Sequence, residues 1–259
     1  MWLDPLESRQ LFAVTVSSPN LAGTVFVHGT SANDSIMVLP FSQTGFTFIG
    51  NGNVRNYNFS NLKNLRITLE GGNDALLVMG SHALPIDVDG GAGNDTIVGG
   101  SGNDTIHGGA GNDRINPGFG VNRIWGDAGY DTIDYSGQTS GVNVSLDDYA
   151  NDGPVRNGHR RDNVHADIEA VLGTEYGDAF FGNNANNYFD GRGGNDLMRG
   201  GGGNDTILGG IGADTLFGDA GNDRLEAGND RVADSIFWAI GDTYSADKFD
   251  KTYRKGIDW

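Results

Sequence analysis

The sequence predicts an all-β protein. It reads as a parallel β-roll, or β-solenoid, built from Gly-rich nonapeptide repeats and entered through a less regular N-terminal β-solenoid segment. Three observations predict it. Gly-Asn-Asp recurs with a nine-residue period over two long stretches, and an apolar residue stands two places after each acid of that series. Of the 34 acidic residues, 29 are Asp and only 5 are Glu. Asp belongs to turns and hard-cation sites, whereas Glu is a helix former.

The first block, 90–134, consists of GGAGNDTIV, GGSGNDTIH, GGAGNDRIN, PGFGVNRIW and GDAGYDTID. The second, 173–226, consists of GTEYGDAFF, GNNANNYFD, GRGGNDLMR, GGGGNDTIL, GGIGADTLF and GDAGNDRLE. In each unit the first six residues are Gly-rich and predict a tight turn, with Gly at positions one, two and four permitting positive φ. The last three suffice for a short strand whose central side chain points inward. Three residues cannot bury an apolar face alone, but stacked copies can. Two units then make one coil. Ile97, Ile115 and Ile133 stack in one sheet, and Ile106 stacks with Ile124 in the other.

Composition removes other classes. The formal charge of −17 disfavours a protein that holds nucleic acid phosphates or anionic lipid. No Cys is present, so disulfide frameworks and thiolate zinc sites are excluded. A content of 37% hydrophobic and 10% aromatic residues argues against disorder along the whole chain. No 18-residue apolar run exists to make a transmembrane segment.

The same stacking places Asp95, Asp113 and Asp131 on one edge of the roll, about 4.8 Å apart per coil. Bare carboxylates at that distance repel by about 3 kcal/mol per pair at an effective dielectric near 20. Lys or Arg does not recur in these turns, so a cation must sit there. Calcium suits a set of carboxylates and turn carbonyls, whereas Mg²⁺ demands near-octahedral geometry and keeps its waters.

These units resemble the calcium-binding nonapeptides of the RTX, or haemolysin-type, family, Gly-Gly-x-Gly-x-Asp-x-apolar-x. In that family an ion sits between turns two units apart. One turn gives the carbonyls of its first and third positions plus its Asp, and the other gives those of its second and fourth plus its Asp. The resemblance implies a site from Gly90, Ala92 and Asp95 with Gly109, Gly111 and Asp113. The next is Gly108, Ala110 and Asp113 with Asp127, Gly129 and Asp131. In the second block it implies Gly191, Gly193 and Asp196 with Gly210, Gly212 and Asp214. It also implies Gly200, Gly202 and Asp205 with Asp219, Gly221 and Asp223. Asn122 and Asn187 put a neutral amide in place of the ligand Asp. A site of Gly99, Ser101 and Asp104 toward Asn122, and one between Asn187 and Asp205, are therefore expected to be weaker. So is one between Asp178 and Asp196, where Tyr176 stands at the close-approach position. The expectation is four to seven Ca²⁺ ions, and four would offset about half of the formal charge.

Outside the blocks, 1–12 is an N-terminal segment similar to the Leu-Glu-Pro-Arg-type stretch at the start of some bacterial surface proteins, through Leu3, Pro5, Leu6, Glu7 and Arg9. An export signal upstream of it is then expected. Residues 13–89 alternate apolar and polar, as at Val14/Val16, Val25/Val27, Ile36/Val38, Phe46/Phe48 and Ile67/Leu69. They also hold two degenerate units, around Asp34 and Asp74, and read as an irregular solenoid or cap, with a small β-sandwich as the alternative. Residues 135–172 break the register and resemble the spacer between repeat blocks in the same family. A strand is expected at Val142, Val144 and Leu146, a return strand over 168–172, and between them a solvated acidic loop with Asp147, Asp148 and Asp152, for which holding another cation is the alternative. In 227–259, Phe237, Trp238, Tyr244 and Phe249 suit a cap on the open end of the solenoid. The four basic residues of 248–259 depart from the family's acidic and apolar secretion tail.

Neither His-Glu-x-x-His nor Gly-x-Ser-x-Gly occurs, and His28, His82, His107, His159 and His165 are scattered. No catalytic residue is expected. The leading expectation is a calcium-dependent structural or surface-display module, extracellular or at the cell surface, that folds when it binds the ion. Two alternatives stand beside it. One is an adhesive or polysaccharide-binding module using Thr96, Thr105, Thr132, Thr206, Thr215 and Tyr188, a face interrupted by Arg114, Arg123 and Leu197. The other is a solenoid carbohydrate-active enzyme.

Overall fold

The computed structural model describes residues 15–17, 20, 22–42, 45–58, 62–80, 83–154 and 162–254. Among them there is no helix, so none is long and apolar enough to cross a membrane. The N-terminal Leu-Glu-Pro-Arg-like segment, Val14, His82 and His159 lie outside the described residues.

The strands wind as a parallel solenoid of about ten coils with three sheets. One face is a single sheet of twelve strands, and the opposite face is divided into two sheets of seven. The eighteen-residue register is met residue for residue. Ile115 pairs with Ile97 on one side and Ile133 on the other, and Ile106 pairs with Ile124. In the second block Phe180, Met198 and Leu216 pair in series, as do Phe189, Ile207 and Leu225. Every one of these side chains is fully buried. Replacing Ile115 by Ala, at the centre of such a column, should lower stability by about 2–5 kcal/mol. Thermal denaturation with calcium present checks this, and a change under about 0.5 kcal/mol, typical of surface positions, would count against the inward stack.

The described strands of 24–89 join the same sheets by parallel pairing, as an irregular solenoid rather than a sandwich. Thr24–Thr30 runs parallel to Asn64–Glu70, which runs parallel to Ile86–Asp89. Ser35–Ser42 runs parallel to Ala75–Val78. This region is irregular because the coil between Asp34 and Asp74 carries an antiparallel excursion, Gly45–Gly50 and Asn53–Asn58, which ends the twelve-stranded sheet.

The twelve-stranded sheet passes straight through the register break. Thr132–Asp134 pairs with Ala170–Leu172, and that strand pairs with Tyr188–Asp190. On the other face the chain steps from one sheet to the next. Asn163–Val164 closes the N-terminal sheet against Arg123–Ala128, while Val142–Ser145 opens the C-terminal sheet against Ala179–Phe181. Gly153–Pro154 pairs antiparallel with Val142–Ser145 at the sheet edge, and an antiparallel bridge between Asp152 and Asp162 joins the two levels just before Gly153–Pro154 and Asn163–Val164.

Candidate metal-binding turns

Each turn links one face to the other, so the sixth-position acids form two ladders along the two edges. In the first block the Asp95 amide donates to Asp113 Oδ1 at 2.7 Å, and the Asp113 amide donates to Asp131 Oδ1 at 2.8 Å. On the opposite edge the Asp104 amide donates to Asn122 Oδ1 at 3.0 Å. In the second block Asp178 donates to Asp196 and Asp196 to Asp214. Asn187 donates to Asp205 and Asp205 to Asp223. One carboxylate oxygen thus ties each coil to the coil before it.

The other oxygen has no partner. Oδ2 of Asp74, Asp95, Asp104, Asp113, Asp131, Asp196, Asp205, Asp214 and Asp223 is buried and makes no hydrogen bond, and each of these nine residues is 3% exposed or less. An isolated ionised carboxylate away from water is among the costliest groups a fold can hold. Burial is the largest influence on their acidity. It lifts Asp95 to about 6, Asp131 and Asp205 to about 7, and Asp104 and Asp196 to about 8. The amide donated to Oδ1 pulls the other way. Neighbouring carboxylates add to the rise, as Asp113 and Asp74 do for Asp95.

The glycines divide their work differently from the sequence expectation. Position-one glycines do not adopt positive φ. A Cβ on Gly90 would stand 2.8 Å from Asp95 Oδ2, and one on Gly108 would stand 2.5 Å from Asp113 Oδ2. The missing side chain leaves room for the carboxylate. Glycines at positions two and four of the repeats take positive φ, +88° at Gly91 and +133° at Gly93, with Gly102 the exception. Asp127, Arg192 and Asp219 hold position two at +66°, +70° and +68° without glycine.

The fifth-position Asn has a role that the repeat spacing does not disclose. Its side-chain oxygen accepts the amide of the following coil, opposite in direction to the Asp. Asn94 Oδ1 accepts from Asn112 at 2.8 Å, Asn73 Oδ1 from Asn94 at 2.8 Å, and Asn112 Oδ1 from Tyr130 at 3.0 Å. The Asn-Asp pair therefore holds each turn to both neighbours.

Irregular coils supply further rungs. Asp74 continues the first ladder: the Asp34 amide donates to Asp74 Oδ1 at 2.6 Å and the Asp74 amide to Asp95 Oδ1 at 2.8 Å. Past Asp131 the rung is Glu169, whose Oε2 accepts the Asp131 amide at 2.8 Å. Asp162 follows Asn122, Asp234 follows Asp214, and Asp242 follows Asp223. The acidic loop is not uniformly solvated. Asp152 is 1% exposed and accepts from Ser145 and Val164, while Asp147 and Asp148 are exposed.

Other expected residues disperse. Thr96, Thr132, Thr206 and Tyr188 stand on the twelve-stranded sheet, Thr105 on one seven-stranded sheet and Thr215 on the other. They share no face. His107 and His165 stack on either side of Trp125, 4.4 and 4.0 Å between ring centroids, while His28 is exposed. Phe237 lies in an outer column between Phe217 and Tyr253, and Trp238 packs against the core and Tyr244. Phe249 is exposed beside Lys248.

Among the described residues no three His, Asp or Glu side chains converge as a metal cluster. A cation in these turns must complete its shell from backbone oxygens. Those of Ala92 and Ala110 each accept one inter-coil amide, from Gly72 at 2.8 Å and Gly93 at 2.7 Å. A carbonyl has two lone pairs, so one stays available. Unpartnered carboxylate oxygens beside carbonyls make an all-oxygen donor set, which fits a hard divalent cation.

A parallel β-solenoid edged by ladders of buried, half-satisfied carboxylates is a metal-accepting repeat protein by construction. The model of the RTX calcium-binding nonapeptide repeat matches the chain in four copies, over residues 89–124, 117–134, 172–207 and 200–232. Residues 89–134 and 172–232 are RTX calcium-binding nonapeptide repeats, which implies that the protein binds Ca²⁺. No curated protein matches the chain.

Proposed function

We propose that the protein is an exported structural or surface-display module whose solenoid folds on binding Ca²⁺. The nine buried, unpartnered carboxylate oxygens in register carry this reading. Without a cation they are a standing cost to the folded state; with one they become ligands. Such turns do not pre-exist in the unfolded chain, so the free energy of binding is free energy of folding.

The strongest sites lie where consecutive rungs both leave an oxygen unpartnered: Asp95/Asp113, Asp113/Asp131, Asp196/Asp214 and Asp205/Asp223. Their carbonyl ligands are those of Gly90, Ala92, Gly109 and Gly111, with the corresponding residues of the other three. Asp74/Asp95 meets the same condition and adds a site before the matched repeats. Calcium supplies charge neutralisation and a bridge between coils. The chain's own part is to hold the carboxylates with Oδ1 anchored and Oδ2 turned inward. RTX repeats are generally non-catalytic, and we assign no enzymatic step.

Extracellular calcium modules commonly bind at about 10⁻⁴–10⁻³ M, which suits a chain that stays loose in a low-calcium cytosol and folds outside. Circular dichroism during calcium titration, with magnesium as control, tests the coupling. Strand signal should grow with calcium and not with an equal concentration of magnesium. Full strand signal in chelator would sink the reading.

A further inference from the structure

The unpartnered carboxylates are not spread evenly along the solenoid. Asp74, Asp95, Asp104 and Asp113 stand on one side of the register break, and Asp196, Asp205, Asp214 and Asp223 on the other. Between Asn122 and Asn187 only Asp131, in the last unit of the first block, keeps an orphaned carboxylate oxygen among the described residues.

The Asp rungs past it are closed by protein groups, and Glu169, with Oε2 on the Asp131 amide, is only partly buried. Asp162 accepts the Asn122 amide at 2.8 Å on one oxygen and the buried Tyr135 hydroxyl at 2.9 Å on the other. Asp152 accepts amides from Ser145 at 2.6 Å and Val164 at 2.9 Å. Asp178 accepts the Val142 amide at 2.7 Å and the Thr174 hydroxyl at 3.0 Å on Oδ1, and the Thr174 amide at 2.7 Å on Oδ2. Asn187 accepts the Asn183 amide at 3.0 Å. The unpartnered groups left in this stretch, such as Asn122 Nδ2, Asn187 Nδ2, Gln138 Oε1 and Ser140 Oγ, are neutral. Neutral groups cost far less to bury than a carboxylate.

The Thr174 cap has a counterpart. At Thr30 the amide donates to Asp34 Oδ2 at 2.6 Å and the hydroxyl at 3.1 Å. In both places a Thr at the second position of the turn supplies what a cation supplies elsewhere. The waist is also well packed: Tyr135, Phe180 and Phe189 are fully buried, with Phe180 and Phe189 edge to face at 5.6 Å.

We propose that the described residues of 135–190 form a waist that folds without calcium, from which two calcium-dependent arms grow in opposite directions. The waist gives each arm a formed coil on which the first turn stacks, so calcium is asked to extend a solenoid rather than to start one. Extending an existing stack avoids the nucleation cost of a repeat array. The proposal rests on the reading that the arms are calcium-coupled.

Hydrogen exchange by mass spectrometry on the full chain, in chelator and in calcium, separates the two ideas. In chelator, amides of 142–145, 170–172 and 179–181 should keep protection within about tenfold of the calcium value, while 105–116 and 206–226 lose about a hundredfold or more. Loss of protection everywhere would overturn the waist and leave calcium coupling intact. Protection retained everywhere would overturn the coupling and the division with it. Thr174→Val should cost the waist about tenfold or more in protection in chelator while leaving 206–226 in calcium unchanged. Thr174→Ser should restore it, and Tyr135→Phe, which keeps the ring, should weaken the Asp162 side alone. No change in the chelator sample of Thr174→Val would overturn the cap.

Discussion

Asp113→Asn should raise the calcium midpoint for folding by about tenfold or more, the equivalent of about 1.4 kcal/mol, and remove two ions from the binding stoichiometry. Asp113 stands between Asp95 and Asp131, and all three present an unpartnered Oδ2. On the proposed stacking its carboxylate would serve both the ion below it and the ion above it. Asp104→Asn should do much less, because its partner on the next rung is already the neutral Asn122. Asn is the informative replacement. It keeps an oxygen for the Asp95 amide, whereas Ala would leave that buried N–H unpaired at a cost of about 1–3 kcal/mol whether or not calcium is bound. Calorimetric titration beside dichroism reads both quantities. Equal midpoints and equal stoichiometry for the two variants would refute the stacking of ions on that edge.

In chelator the protein should be more stable at pH 5 than at pH 8, and calcium should reverse the trend. Burial first, and neighbouring carboxylates after it, lift Asp95 and Asp214 to about 6, Asp205 and Asp131 to about 7, and Asp104 and Asp196 to about 8. In the unfolded chain each titrates near 3.8. Between these limits the folded state holds more protons than the unfolded state, so stability falls as pH rises. The stabilisation is complete below the unfolded value and is lost as pH climbs through about 6 to 8. Calcium needs the same carboxylates deprotonated, so protons compete with it and its midpoint should climb as pH falls. Melting temperature against pH, with and without calcium, checks both slopes. A metal-free melting temperature that is flat from pH 5 to 8 would contradict the buried, unpaired state of these acids.

The regular coils were legible because their geometry repeats at a constant interval. Nine residues per unit and two units per coil are enough to pair Ile97 with Ile115 and to place Asp95 under Asp113. Legibility ended where the interval changed. Asp162 lies 40 residues past Asn122 and Glu169 lies 38 past Asp131, yet both occupy rungs. Rung membership there is set by which strand stacks on which, and an insertion of any length leaves that unchanged while erasing the period. The fifth-position Asn was visible but mute, since its partner is a backbone amide one coil away. The position-one Gly is required by space and not by φ: a side chain there would meet Asp Oδ2 and, at Gly90, the Gly108 carbonyl oxygen of the next coil.

The undivided twelve-stranded sheet has a mechanical consequence. Its hydrogen bonds point along the solenoid axis, so a pull between the two ends loads the strands in series, and the weakest inter-strand step sets the yield force. On the opposite face the load path is interrupted between the two seven-stranded sheets, where the described strands meet at the Asp152–Asp162 bridge. Tension at that level falls mainly on the step from Thr132–Asp134 to Ala170–Leu172. Tyr135, directly after Thr132–Asp134, is fully buried, and the buried Phe189 pairs with Val171 of the second strand. A tether built this way would keep its middle under load when calcium runs short and yield from the ends inward.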